Sequence, residues 1–115
     1  MTLPEFYAAL GSDYQSMHKQ IPSDALIAKF LRLYAQDPSM TQLRESISQE
    51  NWDGAFRAAH TLKGVALNLG LSCLARSASE LTEHLRGGSP LTNPELLAHV
   101  EQAHESVIAA LPQLN

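Results

Sequence analysis

Asn51-Trp52-Asp53-Gly54-Ala55-Phe56-Arg57-Ala58-Ala59-His60-Thr61-Leu62-Lys63-Gly64-Val65-Ala66-Leu67-Asn68-Leu69-Gly70 is the stretch on which the fold turns. At about 100° per residue, Trp52, Ala55, Ala59, Leu62, Ala66 and Leu69 collect on one side, away from His60. That side is the apolar stripe of an amphipathic helix. Asn51 supplies an N-cap, because its side chain can accept an orphaned amide of the first turn. Gly70 supplies a residue that tolerates a left-handed backbone at the C-terminus. A helix is therefore expected from Trp52 to about Leu69.

The same period recurs on both sides of this segment. Upstream, Thr2-Leu3-Pro4-Glu5 has capping-box spacing and opens a short helix to Leu10, which Gly11 interrupts. Ser12 to Gln15 repeats the cap spacing before a second short helix ending near Pro22. Ser23 caps a third, with Ile27, Phe30, Leu31 and Tyr34 as its apolar stripe, and Asp37-Pro38 breaks it. Ser39-Met40-Thr41-Gln42 reads as another capping box, opening a helix with Met40, Leu43 and Ile47 inward. Downstream, Leu71 to Arg86 carries Leu74, Ala78, Leu81 and Leu85, and Gly87-Gly88-Ser89-Pro90 ends it in a loop. Asn93-Pro94 opens a last helix to about Leu111, with Leu97, Val100, Ala103 or His104, Val107 and Leu111 inward. No segment alternates apolar and polar residues for long. The expectation is an all-α protein: an antiparallel four-helix bundle with short additional N-terminal helices, one domain over residues 1–115.

Bulk composition narrows the function. Of the 115 residues, 44% are hydrophobic and 17% charged, which suits a folded domain. The net charge of −4 and the scattered Lys and Arg argue against a nucleic-acid binder. No apolar run approaches the roughly 18–20 residues of a membrane span. Met1-Thr2-Leu3-Pro4-Glu5 lacks the basic and apolar regions of a secretory leader, and the single Cys73 permits no internal disulfide. A cytoplasmic monomer is expected, since no long heptad seam is left over. Cys73 itself reads as a small core or boundary residue.

The face carrying His60 is unusual for a solvated surface. Asp53, Phe56, Arg57, Lys63, Gly64 and Leu67 lie within about 60° of it. Gly64 sits mid-helix, where glycine costs about 1 kcal/mol relative to alanine. Bare backbone there opens space above the imidazole, and Phe56 and Leu67 offer apolar contact points. Neutral imidazole is nucleophilic near pH 7, with a reference pKa of about 6.5. A ring nitrogen can attack phosphorus and hold a phosphoryl group reversibly. Lys63, and Arg57 on the other side, can neutralise the phosphoryl oxygens.

Ala59-His60-Thr61-Leu62-Lys63-Gly64, followed by Ala66, Asn68-Leu69-Gly70 and Leu74, resembles the signature of the histidine phosphotransfer (HPt) domains of bacterial two-component phosphorelays. The resemblance extends more loosely over the flanking helices. It implies that His60 accepts a phosphoryl group, that Lys63 contacts it, and that Gly64 clears space for a docking receiver domain. It also implies that Asn68 helps to orient the ring, and that an acidic residue of the next helix, Glu80 or Glu83, lies nearby. The implied partners are receiver domains of response regulators or hybrid histidine kinases. They would supply the phosphoaspartate and the Mg²⁺, so that this chain binds no cofactor of its own.

Other readings compete. A helical adaptor could bind a partner through Phe56 and Leu67 and never carry phosphate. Gly64 could serve close helix packing, and the N-terminal helices could cover Phe56 and Leu67. Glu101-Gln102-Ala103-His104 has the Glu-x-x-His spacing of di-iron bundles, but such sites need two of these elements, and no metal site is expected. The chain shows no phosphate-binding loop of the P-loop type; its adjacent glycines, Gly87-Gly88, precede Ser-Pro. It is therefore expected to be a phosphocarrier and not a kinase. Purified protein incubated with radiolabelled Mg-ATP alone should take up no label, and labelling would contradict this.

Overall fold

The computed structural model describes all 115 residues. Seven α-helices follow one another without a strand: α1 (Leu3–Ala9), α2 (Tyr14–Gln20), α3 (Asp24–Tyr34), α4 (Ser39–Ser48), α5 (Trp52–Asn68), α6 (Ser72–Leu85) and α7 (Pro94–Ala110). Short 3₁₀ turns over Arg86–Gly88 and Leu111–Gln113 extend the last two.

The bundle proper is α4 to α7. Each of these helices packs on the next, and short connections make the neighbours antiparallel. The ring closes where α3 and α4 meet α7. There the Tyr34 hydroxyl lies 2.6 Å from His104 Nδ1, and Arg44 grips the Glu101 carboxylate through two bonds of 2.8 and 2.6 Å. Glu101 and His104 are thus engaged with α4 and α3.

α5 occupies the middle, with Ala55, Ala58, Ala59, Leu62 and Ala66 buried. Four of these five side chains are methyl groups, so α4 and α6 can approach its axis closely. Its ends are fixed by separate devices. At the start, the Asn51 side chain accepts from the Gly54 amide at 3.0 Å, and a Cβ on Gly54 would sit 2.6 Å from Asn51 Nδ2. At the end, Gly70 takes φ +68°, and a Cβ there would meet Met17 Sδ at 3.1 Å. The buried Tyr7 hydroxyl donates to the Leu69 carbonyl at 2.7 Å, so α1 and α2 seal that end.

Several local expectations are corrected. Phe30 is not part of the α3 core stripe: it is exposed, and Ala28 is buried beside Ile27, Leu31 and Tyr34. Trp52 is only half-buried, as its place at the edge of the α5 stripe allows. Ser39 forms no capping box; the Asp37 carboxylate accepts from its amide instead, and Ser39 is buried. α2 is capped by Asp13 rather than Ser12. Ser12 reaches across the chain to accept from the Ser72 amide at 3.1 Å, giving α6 a cap that its own sequence lacks. Cys73 is exposed, with its thiol directed at the Leu10 carbonyl.

Burial of His104 makes stability depend on pH. Burial pulls the His104 pKa down, Arg44 adds repulsion, and Glu101 and Glu105 oppose both. An unfolded histidine titrates near pH ~6.5. As pH falls through that value the unfolded chain takes up a proton that folded His104 resists, so stability drops, levelling off below the folded pKa. His104→Gln, which keeps a polar group but cannot titrate, should flatten this loss in urea denaturation between about pH 7 and pH 5. An unchanged pH slope would show that His104 is not its source.

Candidate functional site

His60 lies in the middle of α5 and is exposed, opposite the buried alanines. Its ring forms no hydrogen bond within the protein. It stacks on Phe56, one turn earlier, with ring centroids 6.1 Å apart and planes 10° from parallel. The contact holds one face of the imidazole against an apolar ring. Phe56 is half-buried against the core and is covered by the Arg86 guanidinium, 5.3 Å from its centroid. The short N-terminal helices do not cover it; they sit at the far end of α5.

Gly64 has nothing within 4 Å of where a Cβ would be. Close helix packing is therefore not its role, and the space beside His60 is open. Lys63 is half-buried and makes no ion pair, which leaves its ammonium available. Arg57 leans back to Asp53 at 3.4 Å, in an exposed i,i+4 pair that holds it only weakly.

Leu67 is 54% exposed and lines a groove shared with Met17 and Gln20 of α2. Asn68 lines a different groove, with Phe30 and Leu33 of α3 and Val65. It makes no hydrogen bond to the His60 ring, from which two helical turns separate it. The contact the His60 ring does make is its stack on Phe56.

Two residues of the neighbourhood were not legible in the sequence as a unit. Glu83, near the end of α6, accepts a forked pair of bonds from Arg86 at 3.0 and 2.7 Å. Arg86 holds its carboxyl below the usual range, with smaller attractions from Lys63 and His60. Glu83, rather than Glu80, is thus the α6 acid near the imidazole. The Glu-x-x-Arg spacing is visible at 83 and 86, but its position over Phe56 follows from how α6 runs back along α5.

An exposed histidine on a packed helical bundle, stacked on an aromatic ring and flanked by a free lysine and a gap in the side-chain layer, defines a protein that presents an imidazole to a partner. The chain matches the Hpt domain over residues 10–110 and belongs to that family. Members are phosphocarriers of phosphorelays and interact with receiver domains. No curated protein and no solved structure matches the chain. No helix is long and apolar enough to cross a membrane.

Because a Cβ at position 64 would meet nothing within 4 Å, the glycine costs helix stability without a packing return. Gly64→Ala should raise the unfolding free energy by about 1 kcal/mol in urea titration. A loss of stability would show that the gap is packed after all.

Proposed function

We propose that this chain is a phosphorelay intermediate that accepts a phosphoryl group on His60 from a receiver-domain phosphoaspartate and returns it to another receiver. A ring nitrogen of His60 attacks phosphorus, the P–O bond to the aspartate breaks, the carboxylate leaves, and the imidazole proton passes to solvent. The reverse sequence delivers the group onward. Half-buried Lys63 and exposed Arg57 would offset charge on the phosphoryl oxygens, and the transfer-site Mg²⁺ would be held by the receiver. An exposed free thiol at Cys73 is compatible with action in the cytoplasm.

The observation that carries this reading is the open space beside an exposed, otherwise unbonded His60. An adaptor that only binds would need neither the free imidazole nor Lys63. The apolar rim of Phe56 and Leu67 then serves docking around the histidine and not in place of it.

Transfer from a phosphorylated receiver should label the wild type and leave His60→Gln unlabelled, and the label should be acid-labile. Equal label on both proteins would overturn the assignment. Gly64→Leu should fold normally yet transfer more slowly by on the order of a hundredfold, since misplacing reacting groups by an ångström carries that penalty. An unchanged rate would remove the role given to the gap.

A further inference from the structure

Beyond Lys63 and Arg57, the structure sets a third cation one aromatic ring away from His60. Arg86 lies over the ring of Phe56, the same ring that stacks on the imidazole. In the unmodified protein two of its nitrogens, Nε and Nη2, donate to the Glu83 carboxylate. We propose that Arg86 is a phosphoryl-binding residue, held on Glu83 until His60 is phosphorylated and then transferred to the phosphoryl oxygens.

Three physical features support the exchange. A guanidinium fork fits phosphoryl oxygens as well as it fits a carboxylate, whereas an ammonium offers only a point charge. The Glu83–Arg86 pair is more than half exposed on both sides, and exposed pairs of this kind exchange readily. A phosphoryl group adds a charge of about −1.5 to −2 near a carboxylate that already feels the charges around Lys63 and His60. Like-charge repulsion then disfavours Glu83 as a neighbour while attraction draws Arg86 away from it. Phe56 provides an apolar surface along which the guanidinium can remain stacked as it moves. Glu83 in this scheme keeps Arg86 from blocking the imidazole before transfer.

The inference rests on His60 as the phosphorylated residue, and one experiment separates the two. Phosphoramidate serves as a donor that needs no partner protein: a ring nitrogen attacks phosphorus, the donor P–N bond breaks, and ammonia leaves, taking the imidazole proton as ammonium. The ³¹P resonance absent from His60→Gln is followed against pH to give the pKa of the bound phosphoryl group. A guanidinium on the oxygens favours the dianion, so Arg86→Ala should raise this pKa by about one unit. Arg86→Lys should restore part of the shift, and Glu83→Gln should lower the pKa by removing a like charge. Arg76→Ala, an exposed arginine earlier on α6, should leave the titration unchanged. A phosphoryl pKa in Arg86→Ala equal to wild type would overturn the role of Arg86 while leaving His60 intact. If no resonance is lost in His60→Gln, the phosphorylation site itself is wrong and the role of Arg86 falls with it.

Discussion

The structure depends on the close burial of the methyl-lined side of α5 between α4 and α6. Ala55, Ala58, Ala59 and Ala66 carry almost no side-chain bulk, so flanking helices can approach from both sides. Leu62 fills the centre of that contact. A helix held on two sides keeps only one strip free, and His60, Gly64 and Leu67 occupy it. The same packing that stabilises the bundle therefore selects the direction in which the histidine points.

The ends of α5 make that direction durable. Asn51 and Gly54 interlock at the start, where any larger residue at 54 would strike the cap. Gly70 lies against Met17 and Tyr7 at the other end, and the Tyr7 hydroxyl takes up a carbonyl that the helix cannot satisfy itself. α1 and α2 contribute little to the surface around His60. Their part is to fix the far end of the helix that carries it.

Around His60 the chain supplies position, charge and access. Phe56 orients the ring by stacking, Lys63 and Arg57 bring positive charge, and Gly64 leaves room. No base accepts a proton from the imidazole within the protein. This arrangement suits a group offered to another protein's catalytic machinery, and it agrees with membership of the Hpt family over residues 10–110.

The helical period, the caps at Asn51 and Asn93, and the breaks at Gly11, Asp37-Pro38 and Gly87-Gly88 were readable locally, because hydrogen-bonding needs at helix ends and the 3.6-residue repeat are properties of short segments. The exposure of His60 was readable for the same reason: it sits opposite the alanines of its own helix. What the sequence did not reveal were contacts between segments remote along the chain. Ser12 caps α6, Phe30 turns outward, Tyr34 bonds His104, and Glu83 with Arg86 arrives over Phe56. Each depends on how two helices sit side by side, and the period of one helix carries no information about its neighbour's rotation. The sequence by itself determined the helices and the presented histidine. Only the tertiary structure decided what α6 adds to the neighbours of that histidine from its own helix, because α6 must fold back along α5 before Arg86 can reach the Phe56 ring.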